Sequence, residues 1–209
     1  QNLNLSDAVL NISFDNNKKD EATWAFKNAN PEQLIPIQLG KNKKVTQVTA
    51  NAIAQSLNDI NASVINITGN NIFGIRQSSK TWYQNNMDDF MLDLLSKVIP
   101  RLDVADSEVV ILTTGESGVS EAAIKAAKEL GITTEITVPN GYNTTAARIK
   151  NKKLTQYTKS GKEAFLERFE DTARKRKRGT KKVAAKKKST KTNNKKYTRK
   201  APARKSKAK

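Results

Sequence analysis

The chain has no cysteine and no histidine among its 209 residues. That removes disulfides, thiolate nucleophiles, Cys/His zinc sites and histidine acid–base catalysis. No apolar run approaches the ~20 residues needed to span a bilayer. No charged-then-apolar leader pattern opens the chain, so an intracellular, non-secreted protein without a membrane partner is expected. Acid is also missing from one end. All 20 Asp and Glu lie between Asp7 and Asp171, and none lies in residues 172–209. Of the 38 Lys and Arg, 19 fall in residues 172–209, which leaves 19 against 20 acids, a net of −1, for the first 171. The overall charge of +18 therefore belongs to a near-neutral domain and a cationic tail.

What is present reads as an α/β pattern. Residues 8–14 (AVLNISF) and 34–39 (LIPIQL) suit strands, and Pro36 confines the second to a sheet edge. Val45, Val48, Ala52, Ile53, Leu57 and Ile60 recur at helical spacing. Residues 63–68 (SVINIT) suit a strand ended by Gly69-Asn70-Asn71. Met87, Phe90, Met91, Leu94, Leu95, Val98 and Ile99 form the strongest amphipathic pattern, stopped by Pro100. Residues 108–113 (EVVILT) are apolar and β-branched, as in a strand buried on both faces. Val119, Ala122, Ala123, Ala126, Ala127 and Leu130 give another helix with Gly131 at its exit. A strand at 132–138, a turn at Pro139-Asn140-Gly141 and a helix from about Gly161 follow. This alternation predicts a three-layer Rossmann-like domain with a mainly parallel sheet over residues 63–171. Residues 1–62 are expected to pack on it.

Two loops then fall at the carboxyl edge of that sheet, where open α/β sheets bind ligands. In the first, Gly69 and Asn70 with Arg76 can offer donors and a charge, or simply make an Asx-rich turn. In the second, Gly115-Glu116-Ser117-Gly118 joins a buried strand to a helix. Such a loop can cradle an anion on the helix's first amides, with Ser117 adding a hydroxyl. It can equally be the tight turn a strand needs before a helix. Glu121 can face a ligand from the first turn, or pair with Lys125 on the outer surface.

The stretch TTGESGVSEAAIKAAKELGI, followed by TVPNGY, resembles the SLOG-type superfamily. That group takes in the molybdenum-carrier and YpsA-type proteins, the DNA-processing protein DprA and the LOG phosphoribohydrolases. Gly115 and Gly118 match two family glycines, Ser117 a threonine, and Pro139-Asn140-Gly141 the family's Pro-Lys-Gly. The upstream VINITGNNIFGI is similar to phage-encoded members, and the resemblance covers roughly residues 63–170. It implies a Rossmann-like fold, a nucleotide-like ligand at Gly69, Asn70, Arg76, Gly115, Glu116, Ser117, Gly118 and Glu121, and a viral setting. The departures are Thr114 for a glycine, Glu116 for a glutamine and Ser120 for an aspartate. Glu116 sets a negative charge where an anion would sit. No nucleophile or complete LOG motif is present, so neither catalysis nor a particular cofactor or metal is assigned.

The tail is too polar and too charged to bury a core, so disorder is expected when it is alone. Its composition resembles linker-histone tails, and its natural partner is DNA or RNA. The expected contacts are Arg174, Lys175, Arg176, Lys177 and Arg178, then Lys181, Lys182, Lys186, Lys187 and Lys188. Lys195, Lys196, Arg199, Lys200, Arg204 and Lys205 complete the set. Phosphate contacts of this kind release counterions and carry no base information. A genome-associated location follows from that reading. Only Tyr197 is available in the tail for stacking, and no apolar face accompanies the charge for a membrane. The competing reading is a nucleotide or phosphoribosyl-compound protein that the tail merely localises.

Overall fold

The computed structural model describes residues 2–14, 25, 27–40, 42–138, 140–142, 144–150, 153–159 and 161–170. The tail contacts named above, and the proline of the Pro139 turn, lie outside them. Residues 1–169 form one compact unit.

Five parallel strands make the sheet: β1 (Ala8–Ser13), β2 (Leu34–Gln38), β3 (Val64–Gly69), β4 (Val110–Thr113) and β5 (Thr133–Ile136). Their order is β2-β1-β3-β4-β5, and each neighbouring pair is parallel. The α/β, Rossmann-like class read from the sequence is the one observed. The boundary at residue 63 has no counterpart in the sheet, because β1 lies between β2 and β3 and is an interior strand. Residues 8–38 therefore supply two of the five strands. Pro36 sits on the edge strand β2, where its missing N–H costs no ladder bond on the outer side.

Three helices cover one face: α1 (Gln47–Asp59), α3 (Gln84–Val98) and α4 (Val119–Leu130). Between β3 and α3 runs a shorter helix, α2 (Ile72–Ser78). Leu10, Ile12, Ile65, Ile67 and Ile111 meet Leu57, Met87, Met91, Leu94, Leu95 and Ala123 in a single apolar core. The buried stripe of α1 is Ala50, Ile53, Ala54 and Leu57, while Val48 is 79% exposed. The expected stripe through Val48 and Ala52 is thus displaced. Thr46 caps the helix by accepting from the Thr49 amide, so Val45 lies before the first turn and is buried separately. The stripe of α3 is the predicted one. On the opposite sheet face, alternation places Val9, Asn11 and Ser13 beside Asn66 and Thr68, all buried. Of the layer expected over that face, Ala25, Lys27 and Asn28 are helical, and residues 15–24 and 26 lie outside the described set.

After β5 the chain makes an antiparallel ribbon, β6 (Thr144–Lys150) with β7 (Lys153–Lys159), where the sequence pattern pointed to no element. A last helix, α5 (Lys162–Glu170), sets Phe165 and Phe169 against Ile124, Ile136, Val138 and Tyr142.

Two carboxylates fasten the frame. Asp7 accepts from the Ser63 and Val64 amides at 3.0 and 2.8 Å, tying β1 to β3. Burial works to raise its pKa, but those amides and the Ser63 hydroxyl outweigh it and hold the carboxyl below its usual range. Asp93 accepts from the Val45 amide at 2.8 Å and pairs with Lys97 at 2.9 Å. Its pKa is also lowered, against burial, by Lys97 and the Val45 amide.

Candidate functional site

The loops after β3 and β4 lie side by side at the carboxyl edge, and they are bonded to each other. The Ile72 amide donates to the Ser117 carbonyl at 3.0 Å, and the Val119 amide donates to the Asn70 carbonyl at 3.2 Å. Asn71 and Gly118 form an antiparallel bridge. The end of β1 joins in: the Asn70 amide donates to the Ile12 carbonyl at 3.1 Å, and the Asn70 Oδ1 accepts from the Phe14 amide at 2.9 Å. Three strand ends are thereby laced together.

Gly118 explains why this needs glycine. Its φ is +106°, a region that side chains rarely adopt. A Cβ there would stand 2.5 Å from the Asn70 carbonyl oxygen and 2.7 Å from the Ile72 nitrogen, both backbone atoms. The room that glycine leaves is filled by the neighbouring loop. At Gly115 the close neighbour is the Phe165 ring of α5, 2.7 Å from where a Cβ would be. Beside Gly69 stand the Ile12 carbonyl and the Val119 side chain.

The first amides of α4 are also taken. Gln84, at the start of α3, accepts from the Gly118 amide at 2.7 Å and donates to the Gly118 carbonyl at 3.0 Å. The Glu121 amide donates to the Glu116 carbonyl at 2.7 Å. An anion at this helix terminus would have to displace a glutamine that satisfies both polar groups of Gly118.

At the three departures from the SLOG pattern, Thr114 and Glu116 are half-buried and Ser120 is buried. Thr114 Oγ1 donates to Ser120 Oγ at 3.1 Å across the turn. Burial pushes the Glu116 carboxyl above its usual pKa, and Arg168 partly opposes it. Glu121 is only 8% exposed, so the expected surface pair with Lys125 is instead a buried network. Glu121 Oε1 meets Lys125, Oε2 meets Arg168 of α5, and Lys125 reaches Asp88 at 2.9 Å. Asp88 also accepts from Gln84 at 2.8 Å. Its pKa is raised, chiefly by burial and secondarily by Glu121, against the pull of Lys125.

Gly69, Asn70, Gly115, Ser117, Gly118 and Glu121 are therefore gathered at one edge. Arg76 is not among them. Its Nη1 is held by the Lys80 and Trp82 carbonyls, and its guanidinium stacks 4.1 Å from the centre of the Tyr83 ring. Sequence reasoning missed Gln84, Asp88 and Arg168. Gln84 and Asp88 stand four apart at a helix start, a spacing that does favour side-chain pairing. Nothing local marked Arg168, which arrives from a helix 47 residues after Glu121.

A groove of about 290 Å³ lies elsewhere, at the amino edge, between Leu95, Ile99 and Pro100 on one side and Leu130 and Ile132 on the other. Among the described residues no cluster of acidic side chains is arranged to hold a metal, and no helix is long and apolar enough to cross a membrane. Comparison with known proteins finds no matching family model, no matching curated protein and no matching solved structure.

Proposed function

We propose that this is a nucleic-acid-associated protein that holds DNA or RNA through residues 172–209, with the α/β domain as the body the tail tethers. The observation that carries the reading is the partition of charge: 19 Lys and Arg with no acid in the tail, against a net of −1 before it. A polyanion is the partner such a segment fits, and phosphodiester backbones supply one without demanding sequence. The resemblance to phage-encoded SLOG-type members supports a viral genome as that polyanion, bound in the host cell or packaged in the particle.

The glycine loops enter this reading as a fold clasp descended from a ligand loop. Gln84 occupies the amide an anion would use, and the Glu121 carboxylate engages the arginine that a phosphate would attract.

Removal of residues 172–209 tests the tail directly, since residues 1–169 are a compact unit by themselves. In a gel shift with duplex DNA at physiological salt, the full chain is retained and the truncated chain runs free. Equal retention of both would sink the proposal. A thermal-shift screen with nucleotides tests the clasp, and a large stabilisation by any of them would restore the loop to ligand binding.

A further inference from the structure

The groove at the amino edge takes no part in the clasp. Its volume is about 290 Å³, at the lower end of the ~300–1,000 Å³ that hold small ligands. It therefore suits an anchor of a few side chains rather than a bulky molecule. The floor is apolar, with Leu95, Ile99 and Ile132 buried there. The rim is apolar too, and it reaches solvent. Leu130 is 38% exposed, and Pro100 is exposed across from it. Every other member of the apolar stripe on α4, from Val119 to Ala127, is buried. Leu130 alone is left open, at the one place where that stripe meets the groove.

The groove is also electronegative. Ile99 and Pro100 directly follow α3, and Leu130 and Gly131 are the exit of α4, so both helices end there. Each such end carries about half a negative charge on its unpaired carbonyls. Asp106, on the rim, adds a full one. Among the described residues its carboxylate forms no ion pair, and no lysine or arginine lines the groove. The cations close by in sequence are directed elsewhere. Lys97 Nζ is held by Asp93 and the Val45 carbonyl. Arg101 Nε donates to Asn51 of α1 at 3.1 Å. Lys128 stands two residues before Leu130, and residues two apart on a helix do not share a face.

We infer that this groove docks a short peptide segment of a partner protein, built of one or two large apolar residues flanked by lysine or arginine. The apolar anchor covers Ile99 and Ile132, and the flanking cation meets Asp106 and the last carbonyls of the two helices. Charge complementarity selects the flanks, because a neutral or acidic segment would leave Asp106 and both helix ends without a counter-charge. A peptide fits better than a free amine, since Leu130 and Pro100 continue the apolar contact past the cavity onto the surface. A contact confined to one such groove belongs to the weak, transient class. It lies at the opposite edge of the sheet from the glycine loops, and it works whether or not the tail holds nucleic acid.

The test uses the full chain at physiological salt, with circular dichroism as the folding control. Anisotropy measures a panel of fluorescent peptides framed by glycine and serine. Their cores are Leu-Leu, Ile-Val, Phe-Leu or Ser-Ser, and their flanks are lysine or serine. The wild-type chain binds apolar cores with lysine flanks more tightly than the same cores with serine flanks, and more tightly than Ser-Ser with lysine flanks. The chain's net charge of +18 repels such peptides, so that preference cannot come from bulk charge. Leu130→Lys suits a helix end and keeps the fold, and it weakens the lysine-flanked peptides by about tenfold or more. Leu130→Ser weakens all the apolar cores, without a new charge. Asp106→Asn weakens the lysine-flanked peptides by about twofold to fivefold and leaves the serine-flanked ones alone. Val48→Asp, at an exposed apolar residue in the first turn of α1, changes nothing. A wild-type chain with no preference for lysine flanks, or folded Leu130 variants that bind as the wild type does, would overturn the inference. Neither result bears on the tail.

Discussion

Replacing Gly118 by alanine separates a clasp from a cradle. In a ligand cradle the space over the glycine is empty until the ligand arrives, so a methyl group is tolerated in its absence. Here that methyl would meet the Asn70 carbonyl oxygen at 2.5 Å, the Ile72 nitrogen at 2.7 Å and the Asn71 carbonyl carbon at 2.8 Å. None of these is the end of a flexible side chain, so one loop must move. The bonds Ile72 to Ser117 and Val119 to Asn70 are then at risk, each worth about 0.5–1.5 kcal/mol. Holding alanine at φ +106° adds strain of about 1–3 kcal/mol. The sum is about 2–6 kcal/mol, of which about 3 kcal/mol is a modest value, out of a typical stability of about 5–15 kcal/mol. Gly131 is the internal control. It too has positive φ, +74°, but a Cβ there meets nothing within 4 Å, so Gly131→Ala costs about 1 kcal/mol from backbone strain alone. For a domain of this size about 2–4 °C of Tm accompanies each kcal/mol. Thermal unfolding of the ligand-free protein, followed by circular dichroism, should therefore show Gly118→Ala falling by roughly 6–12 °C and Gly131→Ala by only a few. A Gly118→Ala loss no greater than that of Gly131→Ala would refute the clasp.

Three further outcomes follow from the same geometry. Gln84→Ala strips the partner from the Gly118 amide and from Asp88, so urea unfolding should show a loss of about 1–3 kcal/mol; no loss would mean that the amide is satisfied otherwise. Asn11 is fully buried in mid-sheet, and among the described residues neither amide atom is bonded, so Asn11→Val should stabilise by about 1 kcal/mol or more in the same assay, and a destabilised variant would show that the amide has a partner. Asp7 and Asp93 have lowered pKa values, so their stabilisation is complete above the unfolded value of about 3.9 and is lost as pH falls through the folded one. Asp88 and Glu116 have raised values, so their contribution is present below the unfolded values and is lost as pH rises through the folded ones. Urea midpoints across pH should accordingly decline less on the alkaline side in Glu116→Gln than in the wild type; an unaltered profile there would remove Glu116 as the cause.

Much of the fold was legible because the strands and helices carry their own periods. The stripe on α3 needed no tertiary information, and Pro36 announced an edge strand by what it lacks. The failures have physical reasons. Residues 1–62 were expected only to pack on the domain, because Asn11 and Ser13 break the apolar run expected of an interior strand. The ribbon escaped notice because its alternation sets Arg148 and Lys150 against Ile149, a pattern with little apolar weight. Val48 misled because an apolar residue just inside a helix start can still face solvent when the cap residue fixes the phase. At the site, the glycines were legible as a close backbone approach, but the sequence could not say what approaches.

What approaches is the chain itself. A strand–Gly-x-x-Gly–helix junction creates a pocket of positive potential, and a pocket left empty exposes unpaired amides. There are two ways to satisfy them: a bound anion, or a side chain brought in by another element. Gln84 takes the second way, and its neighbours fit that choice. Arg168 and Lys125 find internal counter-charges in Glu121, on the first turn of α4, and in Asp88, one turn into α3. Thr114 and Ser120 bond to each other across the mouth of the turn. Two of the departures, Thr114 and Ser120, thus compensate each other, and Glu116 is opposed by Arg168. Reopening the site would require changing Gln84, Glu121 and Asp88 together, because removing any one alone leaves a buried charge or amide without its partner.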